Sequence, residues 1–234
     1  MTRQGSDEQK IMAFTAQVAA RIDAVVGKLT AIVSEMPMSE DEFGYFVDAT
    51  KELLVQRDDG DALAGAGYAV DCTDSARPPA MVWWVERGGV VAERSHSSDP
   101  DSESFYDYAA LRWFRNPRDS GDPTLSGPFI DTWGSDDYTV TVSVPVPGLS
   151  ALRGVVAADV DVRRFIDSLA ADLVRMPFPL ALVNESDRVV VSTVPSLSTG
   201  LPITPRSARA KSETVVQQRF NVSNYGWSVV VLSS

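Results

Sequence analysis

The chain has 234 residues, of which 44% are hydrophobic and 23% charged, an ordinary composition for a soluble globular protein able to bury one large core or two small ones. Its net charge of -11 and pI near 4.5 leave no basic footprint for nucleic acid or for an anionic membrane surface. Cys72 is the sole cysteine, so there is no intramolecular disulfide and no Cys/His cluster for zinc. His96, the sole histidine, stands in the polar run Ser95–Asp99 and reads as a surface residue, which argues against a Ser-His-Asp or Cys-His enzyme. No apolar run reaches the roughly 18 residues of a membrane span, and MTRQGSDEQK has no signal-peptide core, so the expected location is the cytoplasm.

Residues 8–36 read as one long amphipathic helix of about 40 Å. Ile11, Val18, Val25 and Ile32 recur every seven residues, with Thr15, Ile22, Leu29 and Met36 as the second row. That stripe either packs along its own domain or supplies a dimer contact. Pro37 ends the helix, and Ser39 caps a second one running to about Arg57 with acidic residues in its first turn. Asp58–Gly67 reads as a loop, and Ala80–Arg94 as a hairpin turning at Arg87-Gly88-Gly89. In that hairpin Trp83 and Trp84 face opposite sides, one towards the core and the other towards a pocket or an interface.

Ser104–Arg115 reads as a short helix that places Tyr106 and Trp113, seven residues apart, on one face. Asn116–Pro128 reads as a loop. Strands are expected at Pro128–Trp133, Tyr138–Pro145 and Gly154–Val160, and the alternating valines of the second predict an antiparallel strand with one wet face. Asp136-Asp137 reads as a solvated turn, with no ligand spacing for a metal. A helix follows over Asp161–Met176, with Phe165, Leu169 and Leu173 on its buried side. Beyond Pro177–Pro179, hairpins are expected over Leu180–Thr193 and Val215–Leu232. The expected organisation is N-terminal helices (1–57), a main domain (58–176) and a small strand lobe (177–234).

Three segments resemble the double-Cache sensor modules of chemoreceptors and sensor kinases, which are extracellular: Ser126–Asp131 (SGPFID), Thr139–Pro145 (TVTVSVP) and Gly154–Val160 (GVVAADV). The resemblance implies an α+β, PAS-like Cache fold, in which an antiparallel sheet flanked by helices hangs on a long N-terminal helix and a smaller second lobe follows. In the amino-acid-binding branch it resembles, the pocket motif places Tyr106, the pair Trp113-Phe114, Phe129, Asp131 and Asp159 around the ligand. The aspartates hold the ammonium. The arginine that would hold the carboxylate is replaced by Leu111, and Arg112 is the residue able to substitute for it.

Each of these residues has a plainer reading. Trp113 and Phe114 fit as core aromatics, Asp131 as the opening of a turn, and Asp159 as one partner of a structural ion pair. Paired carboxylates beside an aromatic wall suit a cation, so the sequence points to a non-catalytic sensor of an amine or amino-acid-like ligand, without cofactor or metal. With no output domain of its own, such a sensor would signal to a separate protein partner, and a homodimer is a further expectation. The alternative is an interaction module of the same fold whose pocket is filled by its own side chains and which dimerises or docks a regulator through the long helix.

Overall fold

The computed structural model describes residues 3–37, 42–57, 61–72, 80–97, 99, 101–130, 137–148, 154–203, 215–222 and 224–233. Two helices lead, α1 (Arg3–Ser34) and α2 (Glu42–Val55). The α1 stripe is buried at Ile11, Val18, Ile22, Val25 and Leu29, so the seven-residue repeat packs within the chain's own fold. Strands β1 (Leu63–Val70), β2 (Met81–Arg87) and β3 (Val90–Glu93) follow. After them come a 3-10 turn (Tyr108–Ala110), α3 (Arg112–Ser120), β4 (Thr124–Ile130), β5 (Tyr138–Val146) and β6 (Gly154–Asp161). These strands form one sheet in the order β3-β2-β1-β6-β5-β4. The chain ends in α4 (Val162–Val174) and a second, antiparallel sheet of β7 (Leu180–Val183), β8 (Val189–Ser192), β9 (Val216–Val222) and β10 (Trp227–Leu232), ordered β8-β7-β10-β9.

The chain divides into two compact units. One comprises residues 25–126 and 130–161. The other comprises 1–24, 127–129 and 162–234. These units are divided near residues 24 and 161, with 127–129 grouped with the C-terminal part.

In the first unit, strand alternation gives the sheet two chemically distinct faces. Val142, Val144 and Val146 on β5, Val156 and Ala158 on β6, and Ala66 and Tyr68 on β1 form the apolar face. Helix α2 covers it: Phe46 stacks on Tyr68 with ring centroids 4.2 Å apart, and Trp84 donates its indole N–H to the Val47 carbonyl at 3.0 Å. The opposite face carries Thr139, Thr141 and Ser143 of β5, Asp159 and Ala157 of β6, Gly65 and Gly67 of β1, and Trp83 of β2. Thr139, Thr141 and Ser143 are all buried. The expected wet face of β5 is therefore a covered one, because α3 lays Trp113 and Phe114 against this side of the sheet.

Three further expectations are corrected here. Residues 63–67 belong to β1, not to a loop. Their glycines reflect close packing: a Cβ on Gly67 would stand 2.5 Å from the Trp83 ring and 2.1 Å from the Val82 carbonyl. The helix expected over 104–115 begins only at Arg112 and runs to Ser120, with Pro117 inside it. Residues expected as loop form the end of α3 and the start of β4.

In the second unit, α4 buries Phe165, Leu169 and Leu173 as its spacing required, and Phe165 meets Trp227 edge-on at 6.3 Å. Both expected hairpins are present. They turn through Asp187, which has a positive φ, and through Gly226.

Candidate functional site

Asp159 anchors the candidate site. It lies on β6, the neighbour of β1 and β5 within the sheet, and is only 9% exposed. A carboxylate in that position is costly unless hydrogen-bonded. Thr141, its register partner on β5, donates its hydroxyl to Asp159 Oδ1 at 2.6 Å. The other oxygen, Oδ2, lies close over Gly65. A Cβ at Gly65 would stand 3.4 Å from Asp159 Oδ2 and 3.0 Å from Trp83 Nε1, so the carboxylate and the indole N–H flank one point above a residue that has no side chain.

From Trp83 an aromatic wall continues outward. The Trp83 and Trp113 rings are 5.4 Å apart, and Trp113 donates its indole N–H to the Tyr106 hydroxyl at 3.4 Å. Phe114 and Tyr108 close the back of the cluster, with rings edge-on at 5.2 Å. Tyr108 is pinned by donating its hydroxyl to the Val70 carbonyl at 2.9 Å, and burial pushes its phenol well above the usual tyrosine range.

The structure thus gathers Tyr106, Trp113, Phe114 and Asp159 in one unit. Tyr106 reaches Trp113 from the chain ahead of the 3-10 turn, not from a shared helix face. Phe114 is fully buried and Trp113 nearly so, with the Trp113 ring edge facing its neighbours and Tyr106 half-buried beside it. Arg112 is exposed, while Leu111 packs against the aromatic cluster. Phe129, on β4, is half-buried and groups with the other unit. Asp131 lies outside the described residues.

Sequence reasoning missed Thr141, Ser143 and Gly65 and left the choice between Trp83 and Trp84 open. Lys51 sits over the Trp84 ring at 4.7 Å on the α2 side, so Trp83 is the tryptophan on the Asp159 face. The signal for Gly65 was present: a glycine spaced two from another, just before an apolar run, marks close approach within a strand. Among the described residues no cluster of His, Cys, Asp and Glu is arranged to hold a metal ion. In the second unit a groove of about 880 Å³ runs between the end of α4 and β8, lined by Leu173, Met176, Phe178, Val191 and Val194 among others. Its hydroxyls at Ser192 and Thr193 already bond the Leu180 carbonyl.

The family described as methyl-accepting chemotaxis protein-like, first PDC sensor domain, matches residues 53–167. Similar solved structures extend over nearly the whole chain. "Methyl-accepting Chemotaxis protein X" is 15% identical with a TM-score of 0.70, covering 98% of this chain and 96% of that one. The ligand-binding domain of the Pseudomonas aeruginosa PAO1 amino acid chemoreceptor PctC, in complex with GABA, is 13% identical with a TM-score of 0.61 and covers 95% of each chain. The extracellular domain of the histidine kinase mmHK1S-Z3 is 12% identical with a TM-score of 0.68, covering 98% of this chain and 93% of that one. No curated protein sequence matches.

Residues 53–167 belong to this PDC, or Cache, sensor family, and the chain as a whole has the double-Cache fold with its long N-terminal helix. That fold is shared with sensor domains of chemoreceptors and histidine kinases. The expectation of a cytoplasmic protein is overturned by the same findings, because the matched family and structures are the outward-facing sensor domains of membrane receptors and kinases. Among the described residues no helix is long and apolar enough to cross a membrane. That fact, which the sequence reading took for a cytoplasmic signature, is equally a property of a receptor's sensor domain.

Proposed function

We propose that the chain is a non-catalytic sensor that binds a small amine or amino-acid-like cation at Asp159 and passes the event to a signalling partner. One observation carries this reading: a nearly buried carboxylate, oriented by Thr141, stands beside the Trp83 indole over Gly65, a residue with no side chain. A desolvated carboxylate next to an indole favours an ammonium through a charge-assisted hydrogen bond and a cation–π contact worth roughly 0.5–2 kcal/mol. Trp113 and Tyr106 extend the wall, Phe129 and Asp131 are the further ligand contacts that the family resemblance implies, and Arg112 is the residue able to stand in for the arginine that Leu111 replaces. The GABA complex of PctC supports an amine-bearing ligand, since GABA carries a primary ammonium. The relatives' setting favours a ligand met outside the cytoplasm.

Isothermal titration with a panel of amines and amino acids tests this. Asp159→Ala is expected to abolish binding of every ammonium ligand that the parent binds, while its circular dichroism and cooperative melting persist. Unchanged affinity in that variant would falsify the site.

The burial of Trp113 and Phe114 favours a second reading, an interaction module whose pocket is filled from within. A chain that shows no thermal shift with any amine or amino acid would favour it.

A further inference from the structure

Asn184, just past the end of β7, ties two separate stretches of the chain with one side chain, and it is only 4% exposed. Its Oδ1 accepts the backbone N–H groups of Ser186 and Arg188, each at 2.9 Å, and so shapes the β7–β8 turn. An atom that accepts two N–H groups is the oxygen, so the other terminal atom is the amide nitrogen. Nδ2 donates to the Gly127 carbonyl at 2.5 Å, across 57 residues of sequence. The turn itself closes through its own backbone, Asn184 N–H to the Arg188 carbonyl and Asp187 N–H to the Asn184 carbonyl, both at 3.0 Å. The long-range bond to Gly127 is therefore additional to the turn. Gly127 is also where β4 changes company. β4 ends the strand order of its sheet, and an edge strand has a ladder on one side only. Thr124–Ser126 and Ile130 group with the first unit, while Gly127, Pro128 and Phe129 group with the second, in which Asn184 lies.

We infer that Asn184 couples β4 to the β7–β8 turn, so that a ligand held by Phe129 is felt at that turn. The inference rests on the proposed reading of Phe129 as a ligand contact. One rigid amide serves all three bonds: the plane that carries Nδ2 to Gly127 also carries Oδ1 to Ser186 and Arg188. A shift of the Gly127 carbonyl moves the amide, and the two turn bonds follow it. A ligand that fixes Phe129 steadies Gly127 two residues away, and through the amide it steadies both turn N–H groups. Burial makes the link firm, because an amide removed from water either keeps its hydrogen bonds or leaves groups unsatisfied at a cost. Asn184 touches no ligand in this scheme and is a positioning residue. Its two functions are separable by atom, the oxygen serving the turn and the nitrogen serving β4.

Amide hydrogen exchange read over β4 and over the β7–β8 turn tests this, with n-butylamine and β-alanine as probes. Asn184→Asp keeps an oxygen for Ser186 and Arg188 and removes the donor to Gly127. Without probe, the variant is expected to exchange about fivefold faster over β4, the worth of one hydrogen bond, and within about twofold of the parent over the turn. With a probe that binds, the parent is expected to slow its exchange at both places. The variant is expected to slow over β4 and to show no change at the turn. A merely structural Asn184 would alter the free-state rates and leave the probe's effect on the turn intact. Asn184→Ser, whose hydroxyl still accepts turn N–H groups, replaces Asp if the added charge unfolds the chain. Equal loosening of β4 and turn in the variant overturns the inference, as does probe protection of the turn that survives there. Calorimetry with the same probes separates the two levels. Binding by the parent with no change at the turn overturns the coupling and leaves the ligand site standing, whereas no binding of either probe overturns both.

Discussion

Leu111 stands ahead of α3 in extended backbone, φ -86° and ψ 149°, and packs against the Trp83–Trp113 cluster. The family resemblance implies an arginine at this place, gripping a carboxylate, where this chain has an aliphatic side chain. Leu111→Arg is expected to move preference towards zwitterions, raising the β-alanine to butylamine affinity ratio about tenfold, the worth of one charge-assisted hydrogen bond. Titration of both ligands against variant and parent checks this, and an unchanged ratio means that the family motif is laid on this chain in the wrong register. At Gly67 the constraint is steric. Gly67→Ala would drive a methyl group into the Trp83 ring and the Val82 carbonyl. Such overpacking costs about 1–3 kcal/mol and, at this chain length, lowers the melting temperature by several degrees. A variant that melts with the parent would mean that β1 and β2 separate more freely than this contact allows.

At the level of elements, Arg57 and Glu86 tie the segment after α2 to β2. The guanidinium is 2.8 Å from Glu86 Oε2, and the Glu86 side chain is 2% exposed. The other oxygen, Oε1, accepts the Gly89 N–H at 2.7 Å in the turn before β3. Arg57→Met removes the counter-charge and leaves a buried carboxylate, which typically costs about 3–5 kcal/mol. The Glu86→Gln double variant keeps the turn bond and is expected to recover part of that loss in urea unfolding. A single variant as stable as the parent would show that the pair is balanced by water. Which elements the sequence disclosed follows the same physics. The hairpin at Gly88-Gly89 and the two in the second unit were legible because their turn chemistry is local. Helix α4 was legible because its apolar spacing points one way. Strand β1 was hidden because Gly65 and Gly67 look like loop residues until Trp83 is packed over them. The Thr/Ser face of β5 looked wet because nothing in its alternation reveals that α3 covers it. Asp159 stood out as a carboxylate in an apolar strand. Its partner Thr141 is fixed only by cross-strand register, which one strand's sequence does not carry.

For the whole molecule, composition offers a clean titration. His96 is the only histidine among 234 residues, so between about pH 5.5 and 7.5 it is the only side chain with an ordinary pKa in range. It is half-buried, and desolvation lowers its pKa below the usual 6.5, opposed by Glu93 and by the Arg94 backbone. The depressed value fixes the sign. As pH falls the unfolded chain takes up the proton first, so the stability tied to neutral His96 is complete above about 6.5 and is lost as pH drops through the folded-state value. The Asp and Glu carboxylates, 32 in number, begin to protonate appreciably only near pH 5, below this window. The melting temperature of the parent is therefore expected to decline between pH 7.5 and 5.5, while His96→Gln, which cannot take up the proton, stays nearly level over the same interval. Differential scanning calorimetry of both proteins in matched ionic strength reads this directly. A parent curve that is flat or rises on acidification would mean that charged His96 is welcome in the fold, with Glu93 outweighing burial. If parent and variant decline in parallel, the acid sensitivity belongs to groups other than His96, and the assignment of the transition to this residue fails.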